Sequence, residues 1–527
     1  MYYLPKFSFA NWLSKKDLVI PDKVAIIDVD QKKRLTYHEL NSRVNRIANA
    51  FHERLKAKKG ERIAVLSEMR AEYVEMQLAA IKLGVILVPL NSRLTEKDLN
   101  YIIDDCEPQS LIFTKHYKRI VELLRPNIGV KNYIIIDSKE GGNGILSWEE
   151  LIKNSLIFEP KHEEVITLND GCQICYTSGT TGFSKGAITT HGSMIWHAIN
   201  AIVAWDLTSQ DITLNVAPLF HVAGWCQIIP QLITGGTVIL KAFQPEEALS
   251  LIEKERVTFL GGVSAIWLFM MQSPEFEKTD LRSLRLAWSG GAPLPKSVFD
   301  IYKKRGIILQ QAYGLTEGPW VTGPVSKYDA FRKYDSIGRP LLFSDIRIVN
   351  SQGEDVAVGE VGELIFRGPH MTAGYWNRPE ETKEAIRDGW FYTGDLVKMD
   401  EEGFIYIVDR KKDMYKSGGE NVYPVEVENV LYSYHKVAEV AVIGVPDERW
   451  GEVGKAIVVP KPDQKITEEE IIEFCQGKLA RYKIPRSVEF LDTLPRTPAG
   501  KVLKRELREK YWGKHEKRIY GGSRDLN

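Results

Sequence analysis

Tyr176-Thr-Ser-Gly-Thr-Thr-Gly-Phe-Ser-Lys-Gly-Ala187 decides how this chain is read, because hydroxyls, glycines and one lysine packed this densely have few uses besides gripping a polyphosphate. Gly179, Gly182 and Gly186 let the backbone turn its N–H groups toward an anion, while Thr177, Ser178, Thr180, Thr181 and Ser184 add hydroxyl donors and Lys185 adds a cation. The apolar run before it, Gly171-Cys-Gln-Ile-Cys-Tyr176, reads as a buried strand that places the polar turn at its carboxyl end, where α/β sheets bind ligands. The kinase-type phosphate loop, G-x-x-x-x-G-K-[ST], does not fit. Counting from Gly179, Ser184 stands where its second glycine belongs, and Gly186 follows Lys185 where its magnesium-binding hydroxyl belongs. A flexible Ser/Thr/Gly linker would have polar low-complexity sequence on both sides, and here a hydrophobic strand comes first.

At 527 residues the chain is too long for one hydrophobic core, so two or more domains are expected. Hydrophobic and charged contents of 44% and 27% are those of an ordinary globular protein, and 70 basic against 70 acidic residues supply no field to recruit nucleic acid or anionic membrane. The opening Met-Tyr-Tyr-Leu-Pro-Lys-Phe-Ser lacks the basic start and apolar core of a signal peptide, so a cytoplasmic protein is expected. The uncharged stretch from Ile212 to Leu240 fails as a membrane span, since Pro218, Pro230, Gly235 and Gly236 break it and Asn215, Gln227 and Gln231 interrupt its apolar surface. It reads instead as strand, loop and helix. Five thinly spread cysteines make no disulfide framework, and Cys172 and Cys175, a C-x-x-C pair without companions, read as core residues of the buried strand.

From Pro21 to about Asp170, helical patterns (Glu39 to Phe51, Tyr73 to Leu83) alternate with apolar strands (Arg62 to Leu66, Val85 to Leu90), which indicates parallel α/β layers. The pattern resumes through Thr237 to Leu240 and Thr258 to Gly262 up to Tyr313, and from about Tyr334 it gives way to short strands, a small β-rich subdomain ending near Asp409. Arg410 to Glu420 has the charge and glycine of a hinge. Beyond it, helices at Pro424 to Tyr432 and Glu468 to Leu479 and a strand at Val437 to Ile443 make a small α+β domain. The expected division is therefore 1–409 and 410–527.

Three further segments carry chemistry. Gln310-Gln-Ala-Tyr-Gly-Leu-Thr-Glu-Gly318 follows the apolar Ile307 to Leu309 and offers a ring (Tyr313) to a purine, a hydroxyl (Thr316) to a phosphate and a carboxylate (Glu317) to Mg²⁺. Tyr392-Thr-Gly-Asp-Leu396 puts Asp395 past a glycine turn, where it suits two ribose hydroxyls, and Pro495-Arg-Thr-Pro-Ala-Gly-Lys501 puts a lysine at the tip of a rigid loop. Taken singly, each fits a plain turn or surface loop equally well.

Together, in this order and over nearly the whole length, YTSGTTGFSKGA, QAYGLTE, YTGD, DRKKDMYKSGGENVYPVEVE and PRTPAGK resemble the adenylate-forming superfamily of acyl-CoA synthetases, luciferases and nonribosomal-peptide adenylation domains. The resemblance implies a large two-subdomain α/β N-terminal domain with a β-rich appendage, and a small mobile C-terminal domain. It implies two half-reactions, in which a carboxylate attacks the α-phosphate of ATP to give an acyl-adenylate and pyrophosphate, and a thiol then takes the acyl group and releases AMP. It places Lys501 between carboxylate and α-phosphate, Mg²⁺ on Glu317, Lys185 on the departing pyrophosphate, and Asp395 and Arg410 on the ribose. Gly291, Ala292, Pro293, Gln311, Ala312, Tyr313, Gly314 and Thr316 would line the nucleotide with the loop residues Thr177 to Gly182. Lys412 matches the family's hinge, about which rotation would exchange Lys501 for Lys416, Ser417, Gly418 and Gly419, a narrow passage for the pantetheine of CoA.

Ala217-Pro-Leu-Phe-His-Val-Ala-Gly-Trp225 resembles the family segment whose histidine, here His221, faces the substrate carboxylate, and it lacks the aspartate that grips an α-amino group in amino-acid-activating relatives. Val222, Trp225, Ser264, Ala265, Gly290, Gly291, Ala312, Trp320 and Val321 are the acyl-pocket candidates. Glycines at 290 and 291 leave room for a chain or flat ring, and Trp225 and Trp320 are candidates to close the far end, with the direction of their indoles left open by the sequence. A medium- or long-chain fatty acid is expected first and an aromatic or alicyclic acid second, with CoA as acceptor and a carrier-protein thiol or a luciferase-like oxygenation as alternatives. The basic tail from Lys501 to Arg518 reads as a solvated helix. Oligomeric state is not legible, and a homodimer stays open.

Overall fold

The computed structural model describes residues 9–138, 141–161, 164–177, 184–291, 294, 296–326, 328–496 and 502–512. Ser178, Gly179, Thr180, Thr181, Gly182, Ala292, Pro293 and Lys501, all expected at the nucleotide, lie outside the described residues.

Two seven-stranded sheets form the body of the protein. The first runs in the order Ile145–Ser147, Asn132–Ile135, Ser110–Phe113, Arg62–Leu66, Ile86–Pro89, Gly171–Thr177, Lys185–Thr190, and only its last pair is antiparallel. The second runs Leu309–Gln311, Leu286–Gly290, Phe259–Val263, Ile212–Asn215, Thr237–Leu240, Val24–Asp28, Lys33–Thr36, again with one antiparallel pair at its edge. Valine, isoleucine and leucine dominate these strands because both faces are covered. One core joins Ile26, Val238 and Leu240 of the second sheet to Ile63, Val65 and Leu87 of the first through the helices Tyr37–Glu53, Ala71–Leu83 and Val222–Thr234.

Every residue of the helix Ala71–Leu83 is buried, including three that carry charge, and each of the three is paired. Glu72 faces Arg70 and Lys33, Glu75 takes both arms of Arg43, and Lys82 donates to Asn41, Asn45 and Glu159. Unpaired, any one of them would cost several kcal/mol, about the worth of a large core side chain.

Pro230, expected to break its stretch, sits inside the helix Val222–Thr234. Tertiary packing overrides the lost hydrogen bond, and the orphaned partner is the carbonyl of Cys226, against which the His197 imidazole lies. Cys172 and Cys175 are buried free thiols of the strand Gly171–Thr177.

The β-rich part begins earlier than the composition suggests, at the hairpin Tyr313–Leu315 and Gly318–Gly323, and continues through the antiparallel sheet of Asp345–Val349, Gly362–Arg367, Trp390–Met399 and Ile405–Arg410. After it, Val437–Asp447 and Gly451–Pro460 form the long antiparallel pair of a separate sheet with the helices Pro424–Tyr432 and Glu468–Cys475 and their own core around Val427, Leu431, Val442 and Ile471. The fold is thus a large layered α/β domain followed by a smaller one. The last described helix, Lys504–Trp512, is not solvated all round. Leu507 is buried, Lys504 pairs with Glu428 at 2.6 Å and Arg508 with Asp413 at 2.5 Å. No described helix is long and apolar enough to cross a membrane.

Candidate active site

Parallel strands bring their carboxyl ends to one edge, and four neighbours of the second sheet deliver the expected residues there. Ile212–Asn215 leads to His221, Phe259–Val263 to Ser264 and Ala265, Leu286–Gly290 to Gly291, and Leu309–Gln311 to Ala312 and Tyr313. The strand expected at Ile307 to Leu309 is shifted to Leu309–Gln311. The Gln311 side chain is committed to the carbonyl of Tyr334, and the Ala312 N–H to the carbonyl of Ser289. Gly291 has φ +79°, which a glycine takes without strain.

Thr316 and Glu317 form the two-residue tip of a hairpin, since Leu315 pairs with Gly318 across it. The hairpin is this tight only because residue 314 is glycine, where a Cβ would lie 2.4 Å from the Trp320 nitrogen. Glu317 is buried, which pushes its carboxyl above the usual range, and its Oε1 accepts a hydrogen bond from the Tyr375 hydroxyl at 2.7 Å, which opposes that shift. The backbone carbonyl of Glu317 accepts from Thr372 N–H at 2.7 Å.

Asp395 and Arg410 face each other on adjacent antiparallel strands, with Nε 3.3 Å from Oδ1. Tyr313 does more than offer a ring: its hydroxyl donates to Asp395 Oδ2 at 2.5 Å. The turn before Asp395 uses Gly394 at φ +72°.

The glycine-rich loop joins the strands Gly171–Thr177 and Lys185–Thr190, with Thr177 opposite Lys185, so the described ends of the loop are a β-hairpin and not a strand-to-helix turn. Lys185 lies with its Nζ 5.3 Å from the ring centre of Tyr375. His221 caps the helix Val222–Thr234, and its Nδ1 accepts from Ala223 N–H at 3.2 Å. That bond sets the proton on Nε2, the nitrogen then able to donate to a carboxylate.

The acyl-pocket candidates do not all converge. Trp225 is fixed by packing, its Nε1 donating to Leu219 O at 2.7 Å and its ring edge-on to Tyr73. Val321 turns into a cluster with Phe366 and Phe391, because strand alternation sends it opposite to Trp320. Gly290 leaves room that is already taken: a Cβ there would lie 2.9 Å from the Trp288 ring. Trp320, buried and at φ +58°, lies 5.1 Å from Trp288 and 4.9 Å from Trp205, ring centre to ring centre. Ser264 and Ser289 hydroxyls meet at 3.3 Å, and Ala265 is half-buried beside them. Val222 lines a cavity of about 20 Å³ behind Thr316 and Glu317, together with His197, Trp225, His370 and Thr372. Burial pushes His197 down to about 3 and His370 to about 4, so both are neutral. Neither ring nitrogen of His197 reaches a hydrogen bond among the described residues, although the Cys226 and Pro319 carbonyls lie close.

Lys412, exposed, follows the strand that carries Arg410. Gly418 and Gly419 are the turn between Tyr415–Ser417 and Glu420–Val422, both at positive φ, as a two-residue hairpin turn of this twist requires. Lys416 and Ser417 lie on the first of those strands, and Gly418 packs against Trp450. Sequence reasoning passed over Tyr375, Trp205, Trp288 and Asp409. Asp409 is buried, accepts from the N–H groups of Val425 and Arg410, and its carboxyl is pushed up to about 6, chiefly by burial.

The chain belongs to the AMP-binding enzyme family, whose model matches residues 16–376 and whose C-terminal-domain model matches residues 426–501. It is an AMP-forming acid–thiol ligase of the acyl-CoA synthetase group. It is 41% identical to a feruloyl-CoA synthase of Amycolatopsis sp over 485 residues, 90% of this chain and 94% of that one. To the long-chain-fatty-acid–CoA ligase FadD13 of Mycobacterium tuberculosis it is 37% identical over 504 residues, 95% and 97% of the two chains. The solved structure of the anthranilate CoA ligase AuaEII in complex with anthranoyl-AMP superposes with TM-score 0.88 at 28% identity, covering 96% of this chain and 97% of that one.

Proposed function

We propose that this acyl-CoA synthetase activates a flat, ring-bearing carboxylic acid in preference to a medium- or long-chain fatty acid. The observation that carries it is the indole cluster of Trp205, Trp288 and Trp320, close-packed behind Gly290 and Ala312. An alkyl chain running on from the carboxylate would have to displace those indoles, whereas a ring bound before them meets aromatic faces and edges. The similarity to an enzyme named for feruloyl-CoA supports it, and the similarity to one named for long-chain fatty acids keeps the fatty acid as second reading.

In this account the 1–409 part binds ATP and acid, and 410–527 brings Lys501. Two anions must meet in line, so catalysis is alignment plus charge neutralisation. His221 holds the carboxylate through Nε2–H, Lys501 bridges carboxylate and α-phosphate, Asp395 and Arg410 fix the ribose, and Lys185 draws off pyrophosphate with the hydroxyls and N–H groups of the loop. Glu317 suits a hard cation, being an oriented, buried carboxylate beside a hydroxyl. Among the described residues no group of three or more ligating side chains stands ready for a metal, so Mg²⁺ would take its other ligands from the phosphates and water, and would supply charge neutralisation there. Rotation about Lys412 then presents Lys416, Ser417, Gly418 and Gly419 to CoA. The absence of an α-amino-gripping aspartate favours this over an amino-acid-loading enzyme. A cytoplasmic location agrees with such substrates.

Steady-state thioester formation with CoA across aryl, arylalkenoic and C6 to C16 fatty acids tests the acid. The expected result is a kcat/KM for the best ring-bearing acid about tenfold or more above any fatty acid; the reverse order restores the fatty-acid reading.

A further inference from the structure

We propose that Tyr375 is a positioning residue for adenylation, holding the carboxylate of Glu317 and the ammonium of Lys185 in fixed relation across one phenol. The inference rests on the reading of Glu317 as metal carboxylate and Lys185 as pyrophosphate clamp.

The Tyr375 hydroxyl donates to Glu317 Oε1 at 2.7 Å, while Lys185 Nζ sits 5.3 Å from the centre of the same ring. The backbone ties the three together as well. Tyr375 pairs with Ala187 in an antiparallel bridge, Ile188 N–H donates to Gly374 O at 2.9 Å, and Trp376 N–H donates to Gly186 O at 2.7 Å. Residues 373–376 therefore run antiparallel beside the edge strand Lys185–Thr190 through one isolated bridge and three backbone hydrogen bonds, and just before them Thr372 N–H grips the Glu317 carbonyl at 2.7 Å. The far end is anchored too. Trp376 Nε1 and Asn377 Nδ2 donate to the Asp105 carbonyl, and Arg378 meets the Asp105 carboxylate at 2.7 Å.

The consequence is mechanical. Glu317 belongs to the hairpin of the β-rich part and Lys185 to the first sheet, and no element of regular structure contains both. Their charges must act on one departing pyrophosphate, so an error of an ångström in their spacing carries a rate penalty. Tyr375 sets that spacing by a hydrogen bond on one side and a cation–π contact on the other. Its hydroxyl also fixes which carboxylate oxygen is engaged, and so which way the carboxylate presents to a cation.

Three variants of the full-length enzyme test this: Tyr375→Phe, which keeps the ring, Tyr375→Leu, which removes both contacts, and Glu317→Gln. The readouts are ATP/pyrophosphate exchange against magnesium concentration, Mn²⁺ binding in the presence of ATP by electron paramagnetic resonance, and thioester formation from supplied acyl-adenylate. Tyr375→Phe should slow exchange about tenfold and weaken Mn²⁺ binding about threefold, with thioester formation within about twofold of wild type, and Tyr375→Leu should lose about tenfold more exchange. Wild-type exchange and Mn²⁺ affinity in Tyr375→Phe, or equal loss in both half-reactions, overturns the inference. If Glu317→Gln weakens Mn²⁺ binding while Tyr375→Phe is silent, only the role of Tyr375 falls. If Glu317→Gln binds Mn²⁺ as wild type does, the reading of Glu317 falls and takes this inference with it.

Discussion

The hydroxyl of Tyr313 donates to Asp395 Oδ2 at 2.5 Å, binding the QAYGLTE segment to the YTGD turn across 82 residues of sequence. Asp395 also faces Arg410 at 3.3 Å, so the carboxylate proposed to hold the ribose is itself held from two sides. Each partner comes from a different strand, and the three side chains would make one wall of the proposed nucleotide site.

Tyr313→Phe keeps the ring and removes that donor. The KM for ATP should rise about three- to tenfold with kcat within about twofold, because the hydrogen bond orients a ground-state contact and does not touch the reacting bond. Steady-state kinetics at saturating acid and CoA checks it. An unchanged KM contradicts the role given to Asp395.

Trp288→Ala opens the space behind Gly290. Its cost in stability should be about 3–5 kcal/mol, as for a buried large aromatic. Trp288 also spares Gly261, where a Cβ would lie 1.8 Å from the indole nitrogen, so Gly261→Ala should disturb the same cluster. In Trp288→Ala the ratio of kcat/KM for a C8 to C12 acid over the best ring-bearing acid should rise about tenfold or more. Urea unfolding and a two-substrate comparison measure both effects.

Much of where the candidate site residues fall in the fold was legible because the segments that carry them are local. Glycines, hydroxyls and charges crowd into short segments after apolar strands, and parallel strands bring those segments to one edge, as Gly291, Ala312 and His221 show. The strand Arg62–Leu66 and the helix Pro424–Tyr432 were legible to the residue. What escaped depends on long-range contact. The orientation of Trp225 and Val321 follows from packing partners far along the chain, Tyr73 for one and Phe366 for the other. Tyr375 lies 58 residues from Glu317, and nothing in its neighbours' composition marks it. The stretch from Ile212 to Leu240 is strand, loop, helix and strand as expected, but that Pro230 lies inside the helix was not legible, because its local rule yields to a helix buried between two sheets.

Asp409 offers a pH test. Burial raises its folded-state pKa from 3.8 to about 6, so the folded protein holds this proton more tightly than the unfolded chain. The contribution to stability is present in full below about pH 4 and is lost as pH rises through about 6. Asp409→Asn removes that dependence while keeping an acceptor for the Val425 N–H. Relative to the variant, the wild type should therefore lose stability steadily between about pH 4 and 6, measured as urea midpoints across pH. Parallel curves contradict the raised value.

The central claim is that attack at the α-phosphate depends on Lys501, while thiol transfer does not. The direct measurement is ATP/pyrophosphate exchange by Lys501→Ala beside its formation of thioester from supplied acyl-adenylate and CoA. The account predicts exchange reduced about a hundredfold or more with thioester formation within a few-fold of wild type. Equal loss of both activities, or exchange that survives, would contradict it.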